Sequence, residues 1–422
     1  MAQDSKETEI PAEWSAWYTK RTVFLEKRRA NVYRIGKAEI DAVARVISQM
    51  DLSRVGSKGK RCEKFEAAWA EKIGTKYALL MCGGGTAALT CSLAGLGIGP
   101  GDEVIVPAYT WLASATCVLT VGAIPVLAEI DETLGLDPDD FERRIGPRTK
   151  AVIPVHMVGR PADLSRICAI AKKRGVKVVE DACQMVGGTY KGKRVGSWGD
   201  AGAFSFNFFK IISCGEGGAM VTDDRTVYET AFIFHDSGSA FRPKAAELSV
   251  PLFVAQQYRA DEIMAAIMLE QLKRMDRIIA DLQKVRRRLE KMLSDVKQFR
   301  IAPSNDPDGD CGVILAIQFD DAEKAQRFNE KMAGRGYLGI NHGKHVYTNW
   351  TQLKEKRVMH HPRMNPFNFE ENRTLRADYS ERACPRTLDI LRRTYILRLD
   401  PDWTKETLEE LAAACISAAG SI

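Results

Sequence analysis

The run Val178-Val179-Glu180-Asp181-Ala182-Cys183-Gln184 joins two β-branched apolar residues to two consecutive carboxylates. A short apolar run of this kind fits a strand buried on both faces, as in a parallel sheet. In an open α/β sheet, ligands lie beyond the carboxyl ends of the strands. Asp181 is therefore placed where a carboxylate can meet a cationic ring nitrogen, with a helix N-cap as the alternative use. Working outward, strands are expected at 102–106, 124–128, 151–155, 176–180, 201–206 and 219–221, with helices at 110–121 and 164–173. This alternation predicts an α/β fold with a mostly parallel sheet covered on both faces.

Flanking this region, residues 39–50 read as an amphipathic helix and 261 to about 295 as one long helical pattern. A strand at 312–319, a helix at 322–334 and a terminal helix at 404–419 follow, which predicts a smaller α+β domain. Residues 344–376, rich in Asn, Pro, His and Arg, read as loop. The expected divisions are an N-terminal segment at 1–55, a large domain at 56–297 and a small C-terminal domain at 298–422.

The 422 residues carry 61 Lys+Arg against 55 Asp+Glu, a balance of +6, and 45% are hydrophobic. That composition excludes disorder over most of the chain, and no apolar run approaches the ~18 residues of a membrane span. Met1-Ala2-Gln3-Asp4-Ser5-Lys6-Glu7 lacks the pattern of a secretory signal. A soluble cytoplasmic protein is expected, with no membrane or nucleic-acid partner. The densest basic run, Lys284-Val285-Arg286-Arg287-Arg288-Leu289-Glu290-Lys291, reads as a solvated helix face. The ten cysteines form no C-x-x-C pair and no zinc spacing with histidine, so reduced thiols and no metal are expected.

Two more stretches carry chemistry. Gly83-Gly84-Gly85-Thr86-Ala87-Ala88-Leu89 sets glycines before a helical run. Backbone N–H groups at such a helix start bind phosphate, and Thr86 adds a hydroxyl. A tight turn with an N-cap remains the plainer reading, and neither nucleotide-binding glycine fingerprint matches. In Ala203-Phe204-Ser205-Phe206-Asn207-Phe208-Phe209-Lys210-Ile211-Ile212 the lysine stands among apolar residues. It either snorkels to solvent or is desolvated into a usable amine nucleophile. A phosphate cup, a carboxylate and an activated lysine are together the parts that pyridoxal phosphate needs.

With these stretches, Gly101-Asp102-Glu103-Val104-Ile105-Val106-Pro107, Glu180-Asp181-Ala182-Cys183-Gln184 and Gly215-Glu216-Gly217-Gly218-Ala219, the chain resembles the DegT/StrS family of sugar aminotransferases over roughly residues 30–420. Within that family it is most similar to transaminases that build an amino-octulosonate. The resemblance implies a fold type I pyridoxal-phosphate transferase in which Lys210 carries the cofactor and Asp181 pairs the pyridine nitrogen. It implies that Gln184 approaches the phenolic oxygen, that Gly85, Thr86 and Ser205 hold the phosphate, and that Trp111 stacks on the ring. For Trp111 an ordinary core position is the alternative.

The implied reaction moves an amino group from glutamate or glutamine to a keto sugar or keto-cyclitol in amino-sugar biosynthesis. Two other readings are a deoxysugar dehydratase, where relatives replace the lysine by histidine, and a regulator with an aminotransferase-like domain. A homodimer is implied. Gln257, in Gln257-Tyr258-Arg259, stands where relatives commonly carry an Asn that reaches the neighbouring subunit's phosphate. Gly84 replaces a usual Ser, and Asp236-Ser237-Gly238 replaces a frequent Asp-His-Gly. His342, His345, His360 and His361 are expected to be solvated, with contact to substrate as the alternative.

Overall fold

The structure is a computed structural model that describes residues 34–422; the first 33 residues, and the part of the expected 1–55 segment they hold, lie outside the described residues. The large sheet is built from β1 (Tyr77–Met81), β2 (Glu103–Pro107), β3 (Ile124–Ala128), β4 (Thr149–Val152) and β5 (Lys177–Asp181). After a small hairpin, β6 (Thr189–Tyr190) and β7 (Lys193–Arg194), it is completed by β8 (Ala201–Ser205) and β9 (Gly218–Thr222). Its order is β1-β9-β8-β5-β4-β2-β3.

The strands from β8 to β3 pair in parallel, as expected of near-continuous apolar runs flanked by helices. The strand expected at 219–221 departs from this direction. As β9 it runs antiparallel to both β8 and β1, because a hairpin rather than a helical crossover joins it to β8. Two reversals leave β1 pointing the same way as β5 and β8. The carboxyl ends of β1, β2, β5 and β8 and the start of β9 therefore share one rim.

The small sheet is antiparallel, with β10 (Arg300–Ile301), β11 (Ile314–Gln318), β12 (Tyr337–Leu338) and β13 (Thr394–Arg398) in the order β10-β11-β13-β12. Helices Ala322–Lys331, Pro385–Arg392 and Lys405–Ala419 accompany it.

The single helix expected over 261–295 is two helices, Glu262–Leu272 and Met275–Met292. They break at Arg274, which caps the start of the second helix. There its guanidinium donates to the Arg34 carbonyl and pairs with buried Glu39. In the second helix Lys284, Arg287, Arg288 and Lys291 are exposed, but Arg286 is buried against Asp310, 3.5 Å away. The basic run is thus a solvated face with one inward member.

Residues 344–376 are less free than their composition suggests. They fold into short turns and one helix, Thr351–Lys354, with Tyr347 and Trp350 fully buried. Three contacts fasten the segment and its exit to the large sheet. Asn372 accepts from Gly101 N at 2.6 Å and donates to Gly122 O at 2.8 Å. Arg376 closes on buried Glu103, and Tyr379 donates to Pro125 O at 2.8 Å.

Candidate active site

The rim is where the chemistry-bearing residues converge. β1 ends at Met81, and helix Gly84–Gly95 starts at once, capped by Gly83 without any side-chain bond. Its first recorded intrahelical donor is Ala87 N, to Gly83 O at 3.3 Å. The N–H groups of Gly85 and Thr86 precede that bond and are free for an anion. A side chain at Gly85 would collide with Cys183 Sγ and lie 3.0 Å from Ser205 Cβ. The turn, the end of β5 and the end of β8 are therefore in contact there. Gly84, at φ +69°, holds a left-handed turn, and Gly218 leaves room for its carbonyl.

On β5 the two carboxylates point to opposite faces, as strand alternation requires. Glu180 is fully buried and accepts from Gly196 N, Trp198 N and Gly199 N at 2.7, 2.6 and 2.9 Å. His156 adds a fourth bond at 3.1 Å. Its Nδ1 accepts from Ala162 N, so Nε2 carries the proton and donates to Glu180. Glu180 is consumed in holding the loop after β7. Asp181 faces the rim, 4% exposed. It accepts from Cys183 N at 3.1 Å and from the Ser114 hydroxyl at 2.7 Å, with the Thr110 hydroxyl 2.7 Å behind Ser114.

Lys210 sits on the loop between β8 and β9. That loop is closed by the Asn207–Gly215 bridge, by Phe208 N to Gly215 O at 2.9 Å and by Lys210 N to Asn207 O at 3.0 Å. Among the described residues its ammonium makes no ion pair and no hydrogen bond. Burial pushes its pKa below the ordinary lysine value; nearby Cys183 and Asp181 oppose that shift, while Lys344 and Arg398 reinforce it. Lys210 is half-buried.

Ser205 lies at the end of β8, 4% exposed, and Thr86 is exposed at the helix start. Trp111 follows β2 and is 38% exposed, so it is no core residue. Gln184 turns its amide oxygen to Val158 N at 3.2 Å. The sequence Gln257-Tyr258-Arg259 runs beside the end of β1, through the Met81–Arg259 bridge and Cys82 N to Tyr258 O at 2.8 Å. Gln257 itself is exposed, and its side-chain oxygen accepts from Arg259 N at 2.7 Å.

Two histidines correct the expectation of solvation. His342 and His345 are half-buried, with rings stacked 3.9 Å apart, whereas His360 and His361 are exposed as expected. The cause is a strand-like clasp between this loop and the end of β2, with Thr110 N to His345 O at 3.0 Å and Tyr347 N to Ala108 O at 3.1 Å. Tyr109 OH then meets His342 Nδ1 at 2.8 Å, and Tyr337 OH meets Nε2 at 3.2 Å. Burial lowers the pKa of His342 to about 3 and that of His345 to about 4, so both rings are neutral at pH 7. Ser114 and Thr110 escaped sequence reasoning, and His342 and His345 read as solvated, because no local pattern marks a contact across the fold.

The donor set fits a phosphorylated aromatic aldehyde. A bare helix start offers N–H groups to phosphate, a buried carboxylate faces the same rim, and a partnerless, desolvated lysine stands between the two strands that carry them.

The sequence pattern of the DegT/DnrJ/EryC1/StrS aminotransferase family matches residues 34–415. GDP-perosamine synthase of Caulobacter vibrioides is 42% identical over 57% of this chain. The matched part spans 64% of that synthase, under two thirds of its length. Spore coat polysaccharide biosynthesis protein SpsC of Bacillus subtilis is 32% identical over 90% of this chain and 94% of its own. Among solved structures, 3-amino-5-hydroxybenzoic acid synthase superposes with a TM-score of 0.75 at 27% identity, covering 92% of this chain and 98% of that one.

Proposed function

The chain belongs to the DegT/DnrJ/EryC1/StrS aminotransferase family, whose members work with pyridoxal phosphate; from that premise we propose that it moves an amino group from glutamate or glutamine to a keto sugar or keto-cyclitol. The observation that carries this reading is Lys210, a desolvated amine without a partner, held between Asp181 and the glycine turn. Relatives named for perosamine and spore-coat polysaccharide synthesis support an acceptor of sugar type.

When bound, pyridoxal phosphate supplies an electron sink for the reacting carbon. In the proposed site, the N–H groups of Gly85 and Thr86, with the Thr86 and Ser205 hydroxyls, hold the phosphate. Asp181 would keep a proton at the pyridine nitrogen, Gln184 would approach the phenolic oxygen and Trp111 would cover the ring. Lys210 Nζ takes a proton from the substrate carbon and returns one, acting as base and then acid. Burial lowers its pKa and so favours the neutral amine that the first duty needs.

The proposed working unit is a cytoplasmic homodimer. Its support is the exposed apolar side chains around the rim: Phe208 and Phe209 beside Lys210 are 50% and 71% exposed, and Phe241 and Val254 are 88% and 87% exposed. Apolar side chains exposed to this degree suit a protein–protein contact. Gln257, whose amide nitrogen is free to donate, is placed to reach a partner's phosphate. No helix among the described residues is long and apolar enough to cross a membrane.

The deciding experiment is a half-reaction screen. The cofactor-loaded protein is mixed with glutamate or glutamine, its absorbance change is recorded, and keto sugars and keto-cyclitols are added to restore the original spectrum. Absence of any spectral change with amino donors at millimolar concentration overturns the reading.

A further inference from the structure

Two buried hydroxyls stand behind Asp181, and the chemistry of their partners fixes which way each one points. Thr110 lies just past β2 and Ser114 in the first turn of helix Ala113–Thr120; both are fully buried. Their oxygens are 2.7 Å apart, and Ser114 Oγ is 2.7 Å from Asp181 Oδ2. An ionised carboxylate can only accept, so the single Ser114 proton goes to Asp181. Ser114 Oγ is left as an acceptor, which makes Thr110 the donor of the pair. A serine hydroxyl in a helix otherwise tends to bond the carbonyl one turn earlier. With Thr110 on one lone pair, the Ser114 proton is directed at Asp181 instead.

Thr110 is itself anchored, because its N–H donates to His345 O at 3.0 Å across the clasp. The chain therefore runs from the histidine loop through Thr110 and Ser114 to the end of β5. At that end the Asp181 backbone is fixed as well. Its N–H donates to Pro154 O at 2.9 Å, and its carbonyl accepts from His156 N at 3.0 Å. Only side-chain rotation remains, and Ser114 on Oδ2 with Cys183 N on Oδ1 removes it. Each oxygen has two lone pairs, so one on each is left for a ligand. Of the titratable groups that interact electrostatically with Asp181, Cys117 and Cys183 are thiols that burial keeps protonated at neutral pH, which leaves Lys210.

We propose that Thr110 and Ser114 are positioning residues that hold the Asp181 carboxylate on the ring nitrogen of the cofactor, with the His345 carbonyl as the fixed end of the chain. The inference rests on the reading of Asp181 as the partner of that nitrogen. On that reading Asp181 touches the ring, and the two hydroxyls act through it. Without the Ser114 hydroxyl, Oδ2 loses its donor and the carboxylate is free to turn about its last bond. A charge-assisted hydrogen bond depends on alignment, so the ring nitrogen then yields its proton at lower pH.

The test uses protein loaded with pyridoxal phosphate that carries the heavy nitrogen isotope in its ring. The nitrogen NMR shift followed against pH gives the midpoint at which the ring loses its proton. The variants are Ser114→Ala and Thr110→Val, which keeps the side-chain shape, with Thr110→Ser as the hydroxyl-retaining control. Ser114→Ala is expected to lower the midpoint by about one pH unit, a tenfold loss of proton affinity, and Thr110→Val by about half a unit. Thr110→Ser is expected to match the wild type. Urea midpoints recorded alongside report stability, which a purely structural pair of hydroxyls alters without moving the ring-nitrogen midpoint. An unchanged or raised ring-nitrogen midpoint in either hydroxyl-free variant overturns the proposal. A wild-type ring nitrogen that titrates as in the free cofactor overturns the reading of Asp181 and the proposal with it. The expected shifts in a protein that gives no half-reaction with amino donors overturn the amino-transfer reading and leave the positioning role standing.

Discussion

Ser114 donates a 2.7 Å hydrogen bond to Asp181 although 67 residues separate them, and both side chains are buried. Helix Ala113–Thr120 carries the serine at its first turn and β5 ends in the aspartate. With Cys183 N on the other oxygen, the carboxylate is gripped from two directions and its orientation is set before any ligand arrives.

Ser114→Ala is expected to destabilise the protein by about 1–3 kcal/mol, because it leaves an Asp181 oxygen and the Thr110 hydroxyl short of a partner. Urea midpoints of the two proteins check the value. Asp181→Asn is expected to retain cofactor yet lose most turnover, since an amide cannot hold a proton on the ring nitrogen. Near-normal turnover with saturated cofactor counts against the assigned role.

Lys210→Ala is expected to abolish covalent capture of the cofactor on borohydride treatment, with peptide mapping of the wild type placing the label on Lys210. Its amine is also expected to be neutral at a lower pH than an ordinary lysine. Reconstitution rates followed against pH are therefore expected to level off below 10.5, the usual lysine value. A label on another lysine refutes the assignment.

Three histidines make the fold sensitive to acid. Burial lowers the pKa of His235 to about 3 from 6.5, and His342 and His345 shift the same way. Between these folded values and 6.5 the unfolded chain binds more protons, so stability is full above about pH 6.5 and falls as the solution is acidified. His235 alone accounts for roughly 2 kcal/mol between pH 7 and pH 5. Denaturant unfolding of His235→Leu at both pH values is expected to show a smaller difference than the wild type.

Glu180→Ala is expected to cost about 3–5 kcal/mol or to prevent folding, because three backbone N–H groups and His156 lose their acceptor in a dry interior. Thermal melting of the variant and of Glu180→Gln, which retains one acceptor oxygen, orders the two by severity. Equal melting temperatures for all three proteins contradict the arrangement.

Gln257→Ala is expected to weaken cofactor retention by about 0.5–3 kcal/mol, the range for losing one hydrogen bond, in a protein whose solution mass is that of a dimer. Unchanged cofactor affinity in a confirmed dimer removes Gln257 from the neighbouring site.

The parts of the site legible in the sequence are those that depend on local pattern. Gly83–Gly85 before a helical run, the carboxylate ending a buried strand and a lysine in an apolar stretch each announce themselves within a few residues. What was not legible depends on segments far apart in the chain. β1 was missed because Tyr77–Met81 is short and runs straight into the glycine turn. The reversed direction of β9 follows from the hairpin that carries Lys210. His342 and His345 read as solvated because the loop around them is polar, yet its backbone bonds to Ala108 and Thr110 draw them under cover.

The hairpin that carries Lys210 is tied at both ends to the same rim, at Ser205 on one side and Gly218 on the other, which are partners in the β8–β9 ladder. A lysine on a strand end or a single-ended loop sweeps a wide arc; one on a short closed loop is confined to a small volume. Its amine therefore acts at high local concentration on anything lodged at the rim. The position of that volume depends on ladder register, so a one-residue slip of β9 moves the amine without changing any side chain. A substitution far down β9 that loosens pairing is thus able to silence the site while every residue that touches it stays intact.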